Sequence, residues 1–476
     1  MTIDPLHIVF LNPQGNFDAA DSYLAQHPDF GGQLVYVKEV AQEMARLGHK
    51  VDIITRRIVD PDWPEFAAPL ATYPGFEDNL RILRFDCGGG AFLEKELLWP
   101  HLQELVDNMV GFYGEDLPDF ATAHYADGGY MGVLLKQRTG IRFSFTGHSL
   151  GAQKLDKLGM NSANQDEMEA RFHFSSRIAA ERRAMRKAYR IITSTDQERR
   201  VQYAHPLYHG AVDPDEPGKF SVIPPGVNTR IFNTESSQID AEVEAQLDAK
   251  LSGYHGPVVI VSSRLDEKKN IIGVVEAFAR SQALRDKAHL VICIRGLDDP
   301  YADFDTLPEA EQKVLQPILD TIDAAGMRDK VHYLNLMSQQ ALAAAYRQLG
   351  RRGSVFALTA FYEPFGLAPI EAASCGLACV ATSKGGPSEI FEDGSGVLVD
   401  PFDAADIARG LETALENQAD LARRSAKRVL SMYTWSKTAE KYLAVADAGV
   451  RSLGRGDSLS RALDAGELIT GYLAGK

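Results

Sequence analysis

Cysteine is scarce in this chain. Four residues, Cys87, Cys293, Cys375 and Cys379, stand among 476. They are too few and too scattered for a disulfide framework or a zinc site of the CxxC kind. Cys375 and Cys379 read as small buried apolar residues, and the low count fits a reducing, cytoplasmic setting. Long apolar runs are missing too. No stretch approaches the roughly 18 residues of a membrane span. The N-terminal MTIDPLHIVFLNPQGN lacks the basic region and the apolar length of a signal peptide. Positive charge is in deficit, with 50 Lys and Arg against 65 Asp and Glu, a net charge of −15. Such a surface repels phosphate backbones and anionic lipid, so nucleic acid and membrane are excluded as partners. A phosphorylated small substrate would need a local cluster of Lys and Arg. Repeats and low-complexity tracts are absent as well.

What is present is an ordinary globular composition, 45% hydrophobic and 24% charged. The length implies two or three domains at roughly 100–200 residues each. Short apolar runs alternate with amphipathic stretches. Leu6–Leu11 reads as a strand and leads through a Gly-rich loop to a helix-like segment, Gln33–Leu47, with apolar residues at helical spacing and Gly48 as its stop. Val51–Thr55 then completes a βαβ unit. Further strands are expected at Ile82–Phe85, Arg142–Thr146, Arg190–Thr193 and Phe220–Ile223. After a polar stretch, Asn228–Gly256, six more runs follow: Val258–Ser262, Leu290–Ile294, Val331–Leu334, Val355–Leu358, Ala378–Ala381 and Val397–Val399. Helix-like segments such as Ile271–Ala279 and Gln339–Leu349 separate them. Two successive βα series predict an α/β protein of two doubly wound, Rossmann-like domains. Their expected extents are 1–226 and 227–435, with a C-terminal helix over 436–476 packing back on the first.

Four strings carry chemistry. Gly31-Gly32-Gln33 lies between a strand and a helix, where bare backbone N–H groups and a helix N-terminus favour an anion. The spacing is not GxGxxG, so no dinucleotide is inferred. Gln14, Gly15 and Asn16 end the first strand, where open α/β sheets bind ligands. Second, Ser263–Asn270 (SRLDEKKN) places Arg264 and Lys269 at a strand-to-helix junction, and two cations there suit a diphosphate. Third, Glu363-Pro364-Phe365-Gly366-Leu367-Ala368-Pro369-Ile370-Glu371 follows the run Val355–Leu358. Gly366 frees the backbone to approach a ligand. Glu371 is expected on a helix, within reach of ribose hydroxyls, and Glu363 in the loop, near sugar hydroxyls. Fourth, Gly147-His148-Ser149-Leu150-Gly151 matches G-x-S-x-G, the nucleophile elbow of serine hydrolases. That reading makes Ser149 a nucleophile and leaves the second βα series without a role. Three Asp-x-Asp strings, Asp60–Asp62, Asp213–Asp215 and Asp303–Asp305, fall in polar, loop-like regions of an acidic chain and read as chance, so no metal is expected.

Together these strings resemble the retaining glycosyltransferase family 4, of GT-B fold, over nearly the whole chain. Glu363 to Glu371 resembles the family's E-x7-E motif, and SRLDEKKN its donor-phosphate motif. DFGGQLVYVKE, GHSLGAQKLDKL and VIPPGVN are similar to the sucrose-phosphate synthase subgroup. The resemblance implies two domains facing across a cleft, and transfer of glucose from UDP-glucose, a co-substrate, to fructose 6-phosphate with no cofactor. It implies that Arg264 and Lys269 hold the donor diphosphate, Glu371 the ribose and Glu363 the glucose, with Gly32, Phe365, Gly366 and Leu367 also at the donor. His148 would contact the glucose near the reacting carbon. Gly31, Gln33, Lys95, Tyr125, Lys154 and Arg177 would bind the acceptor. The chain has no room for the phosphatase-like region of plant members, so a separate sucrose-phosphate phosphatase is expected as a pathway partner. The alternatives are another donor (ADP-glucose or GDP-mannose), free fructose as acceptor, the serine hydrolase, and a catalytically silent sugar-phosphate-binding regulator.

Overall fold

The computed structural model describes residues 3–24, 27, 29–452 and 464–475. The chain divides into two compact units, Met1–Pro224 with Thr438–Lys476, and Pro225–Lys437.

The first unit holds an eight-stranded sheet. Its strands are β1 (His7–Leu11), β2 (Lys50–Arg56), β3 (Leu70–Ala71), β4 (Leu80–Phe85), β5 (Phe120–His124), β6 (Phe143–Thr146), β7 (Arg190–Thr193) and β8 (Phe220–Val222). The order is β3-β4-β2-β1-β5-β6-β7-β8, parallel except for the short edge strand β3. β1 is buried at every position because helices cover both faces, which is why it reads as an unbroken apolar run. Close packing is enforced at Gly128, in the helix Tyr125–Thr139, where a Cβ would lie 2.3 Å from the Leu11 carbonyl oxygen. The C-terminal segment belongs to this unit. In the helix Trp435–Arg451, the Tyr442 hydroxyl lies 2.6 Å from Thr146 Oγ1 and accepts a hydrogen bond from Tyr36 at 3.1 Å.

The second unit holds six parallel strands, β9 (Val258–Ser262), β10 (His289–Cys293), β11 (Val331–Leu334), β12 (Val355–Leu358), β13 (Ala378–Thr382) and β14 (Val397–Val399). Their order is β11-β10-β9-β12-β13-β14. Numbered within the unit this is 3-2-1-4-5-6, the order of a Rossmann sheet. The first sheet, once β3 is set aside, follows the same order with one strand more, 3-2-1-4-5-6-7. The chain therefore reverses direction between β1 and β5 in one unit and between β9 and β12 in the other. The loops at the carboxyl ends of those four strands are where doubly wound sheets bind ligands.

Two sequence expectations need correction. The polar stretch 228–256 contains a helix, Asp240–Lys250, held by Arg347, which donates to Asp240 from Nε at 3.1 Å. Only three of its residues, Asp240, Val243 and Leu247, are buried, so its apolar signal is thin. Strand β5 was not expected at all: its sequence, FATAH, has one large apolar residue, although every position is buried.

Candidate active site

In the second unit the β9 loop begins at Ser263, with Arg264 exposed. Its guanidinium has no ion pair or hydrogen bond among the described residues. The loop tightens through Asp266, which accepts from the Lys268 N–H at 3.0 Å, and ends at Asn270 in the left-handed region, φ 51°. Buried Asn270 staples the two loops of the switch point: its Nδ2 donates to the Thr359 carbonyl at 3.0 Å and to the Pro401 carbonyl at 2.8 Å. Lys269 is thereby turned toward the β12 loop, where its Nζ lies 2.7 Å from Glu363 Oε2. The two residues that the sequence assigned to separate tasks form one ion pair.

Glu363 is fixed by backbone. Its N–H donates to the Lys384 carbonyl at 3.1 Å, and its carbonyl accepts from Gly386 at 2.8 Å. This requires glycine at 385, which has φ 101° and where a Cβ would sit 2.0 Å from the Glu363 carbonyl oxygen. The loop Lys384-Gly385-Gly386 escaped the sequence reading, although a Gly pair soon after a strand that ends at Thr382 was the available signal. Gly366, φ 108°, turns the chain into the helix Leu367–Ser374. The Phe365 side chain is buried in the core against Tyr433, with ring centroids 5.9 Å apart. Leu367 is exposed. Glu371 lies on the helix with no hydrogen bond to its carboxylate among the described residues, and burial raises its pKa to about 7. A carboxylate short of donors at a switch point can accept from a pair of vicinal hydroxyls.

In the first unit the β1 loop is pinned by Asn16, whose Nδ2 donates to the Arg56 carbonyl at 2.7 Å and whose Oδ1 accepts from Arg84 Nε at 2.9 Å. Gly31 caps the helix Gly32–Arg46, whose first residue, Gly32, is exposed. The next residue, Gln33, has a buried Nε2 with no hydrogen-bond partner among the described residues. Two residues before Gly31, Asp29 binds the Lys95 ammonium. Lys95, Tyr125 and Arg177 line one hollow with Gln14, Glu96, Trp99, Asp127 and Phe172. Lys154 borders the same wall, 3.9 Å from Glu96 Oε1 and 4.6 Å from the Phe172 ring. Its pKa is lowered, first by burial and then by Arg177. Buried Arg177 donates from Nη2 to the Ser149 carbonyl at 2.6 Å and from Nε to Glu181 at 3.0 Å, and lies 5.4 Å from the Tyr125 ring. Four of the six acceptor candidates thus meet around one hollow, whose Asp127 and Trp99 had not been singled out.

His148 stands beyond Tyr125, with ring centroids 6.3 Å apart. Its backbone is left-handed, φ 54°, and its Nε2 shares a hydrogen bond with His124 Nδ1 at 2.9 Å. Burial lowers its pKa to about 3, so the ring is neutral near pH 7 and one of the two imidazoles donates while the other accepts. Among the described residues no group of three or more His, Cys, Asp or Glu side chains is placed to hold a metal ion.

Comparison with known proteins gives this geometry a family. Residues 31–205 match the glycosyl transferase 4-like domain and residues 244–429 the glycosyl transferases group 1. A probable sucrose-phosphate synthase of Thermosipho melanesiensis is 43% identical over 440 residues, 92% of this chain and 96% of that protein. The chain belongs to glycosyltransferase family 4. It is a glycosyltransferase of GT-B fold, akin to the sucrose-phosphate synthases. A probable sucrose-phosphate synthase 1 of rice, Oryza sativa subsp. indica, is 31% identical over 92% of this chain, which spans 46% of that longer protein. The solved sucrose-phosphate synthase of Thermosynechococcus elongatus shares the fold, with TM-score 0.62, 22% identity and coverage of 92% of this chain and 97% of that one.

The glycosyltransferase's G-x-S-x-G string lacks a hydrolase's geometry. The strained, left-handed position is His148 and not Ser149. Among the described residues the Ser149 hydroxyl meets no histidine, while its carbonyl is engaged by Arg177. Among the described residues no helix is long and apolar enough to cross a membrane.

Proposed function

We propose that this glycosyltransferase moves glucose from UDP-glucose to fructose 6-phosphate, giving sucrose 6-phosphate and UDP. The observation that carries the acceptor assignment is the gathering of Lys95, Lys154 and Arg177 around one hollow in a chain of net charge −15. Asp29 and Glu181 pair Lys95 and Arg177, so Lys154, 3.9 Å from Glu96, is the cation left most available to the phosphate that would distinguish a phosphorylated sugar from a neutral one. The donor assignment is supported by exposed Arg264, by Lys269 and by the donor-poor Glu371 carboxylate at the second unit's switch point.

In this reading the first unit takes the acceptor and the second the nucleotide-sugar. The bond between the glucose anomeric carbon and the diphosphate oxygen breaks. The acceptor hydroxyl oxygen bonds that carbon on the same face, and its proton passes to the departing phosphate oxygen. Arg264 and Lys269 stabilise the charge that develops on the diphosphate, and no metal or cofactor is required. Glu371 takes the ribose and Glu363 the glucose, with His148 near the reacting carbon. The Gly32 and Gly366 backbones lie at the donor, and Gly31 and Gln33 at the acceptor. A separate phosphatase acts on the product. The cytoplasm, where both sugar phosphates and nucleotide-sugars are made, is the proposed location.

The test is a donor-by-acceptor matrix scored by nucleotide release, with UDP-, ADP- and GDP-linked sugars against fructose 6-phosphate and fructose. Release that requires UDP-glucose and fructose 6-phosphate together supports the proposal. Equal release with free fructose removes the phosphate pocket, and a preference for another nucleotide removes the donor.

A further inference from the structure

We propose that Asp127 recognises the acceptor: its Oδ2 accepts a hydrogen bond from a hydroxyl of the sugar phosphate held by Lys95 and Arg177. This rests on the acceptor reading above and names a residue it does not contain.

Asp127 lies in the first turn of the helix Tyr125–Thr139 and is 3% exposed. Its Oδ1 accepts from the Gly128 N–H at 2.8 Å. Its Oδ2 is buried with no hydrogen-bond partner among the described residues, and the residue lines the hollow shared by Lys95, Tyr125 and Arg177. A buried carboxylate oxygen left unpaired is costly and calls for a partner. The neighbouring cations do not supply one. Lys95 is paired with Asp29, and Arg177 with Glu181 and the Ser149 carbonyl. An ionised carboxylate only accepts, so the missing partner is a donor. Phosphate oxygens are acceptors and repel it, whereas a sugar hydroxyl fits. The hollow therefore separates two tasks, cations for the phosphate and Asp127 for the sugar. Burial raises the Asp127 pKa to about 7, so the binding and turnover assays are run at pH 8, where the carboxylate is ionised and can only accept.

The Gly128 N–H also makes Asp127→Asn a clean test. It holds the amide oxygen at the Oδ1 position and puts an NH2 donor where Oδ2 was, reversing polarity at constant shape. Binding is read on the whole chain from the fluorescence of Trp99, which lines the hollow. Asp127→Asn should weaken fructose 6-phosphate by about 10- to 100-fold, the range of a hydrogen bond to a charged group, with inorganic phosphate within about threefold. In turnover the acceptor KM should rise likewise while the UDP-glucose KM stays within about twofold. Among deoxy analogues of the acceptor, one should bind wild type and variant equally, because it lacks the hydroxyl in question. Unchanged acceptor binding, equal losses for phosphate and sugar phosphate, or no such analogue would overturn the assignment. If the wild type binds fructose 6-phosphate yet releases no UDP with it, the transfer reading falls and the binding data still decide on Asp127.

Discussion

Replacing Glu371 by glutamine should raise stability and abolish activity, and only above a certain pH. Burial lifts this carboxyl from 4.5 to about 7. At about 1.36 kcal/mol per pH unit, that rise corresponds to about 3 kcal/mol. Below pH 4.5 the group is protonated whether the chain is folded or not, and it contributes nothing. Between pH 4.5 and 7 the unfolded chain sheds its proton first, so stability falls as pH rises. Above pH 7 the folded state bears the full cost of an ionised, poorly solvated carboxylate. Glutamine removes that charge and keeps the shape. At pH 8 the melting temperature of the second unit should rise by roughly 6–12 °C, and at pH 4.5 by about zero. A carboxylate that accepts from two ribose hydroxyls at about 1.5–3 kcal/mol each is worth at least about 100-fold in kcat/KM for the donor. Scanning calorimetry at the two pH values, with UDP release at pH 8, measures both. A melting shift that is the same at pH 4.5 and 8 would refute the electrostatic argument. A glutamine variant with the wild-type donor KM would refute the ribose assignment.

Four further outcomes are expected. Arg264→Ala removes an exposed cation without a partner among the described residues, so kcat/KM should drop by more than about 100-fold with the melting temperature within about 2 °C; a stability loss that tracks the activity loss would count against a ligand role. Gly385→Ala adds a Cβ 2.0 Å from the Glu363 carbonyl at a left-handed position, and should cost about 3 kcal/mol or more by denaturant titration; a neutral change would mean that the Glu363 loop is not held as described. His289, stacked on Tyr254 and 2.8 Å from His332, has its pKa lowered by burial to about 4, so the unfolded chain binds the extra proton and stability falls as pH drops from 6.5 through 4; His289→Gln should flatten that acid limb in pH-dependent melting, and an unchanged limb would exclude this pair. A fluorophosphonate probe should leave Ser149 unlabelled by mass spectrometry, since no histidine meets its hydroxyl among the described residues; labelling would reopen the hydrolase reading.

How far the chain could be read in advance follows from what each element buries. The inner strands of the second unit were legible because a parallel strand covered on both faces reads as an apolar run, as in VVIVS and VFAL, while the edge strands β11 (VHYL) and β14 (VLV) are partly exposed at two positions each. Strand β5 was not legible for the same physical reason turned round. Phe120–His124 lies between β1 and β6, and the helix Tyr125–Thr139 comes close to both neighbours, at Gly128 to Leu11 and at Gly132 to Phe143, so burial under it asks for alanine and threonine rather than valine and leucine. The helix Asp240–Lys250 touches its unit along a narrow stripe and is anchored by an Arg347–Asp240 ion pair, which leaves little periodicity to detect.

The candidate site was legible in its charged strings and illegible in its pairings. Lys269 and Glu363 are 94 residues apart, and nothing local to either says that they meet. What joins them is topology. β9 and β12 are neighbours in the sheet although two strands intervene in the chain, so the loops that leave them share one crevice, and buried Asn270 locks the two together through the Thr359 carbonyl. Lys95, Asp127 and Arg177 converge in the same manner beside β1 and β5. The ion pair also changes what the cation can do. A lysine already bound to a carboxylate offers a diphosphate less charge than a free one, so the exposed Arg264, unpaired among the described residues, is the stronger anchor of the two. Arg264→Ala should therefore cost more than Lys269→Ala in the same UDP-release assay. The reverse order would mean that the ligand breaks the Lys269–Glu363 pair as it binds, and that Glu363 is released to the sugar in the same step.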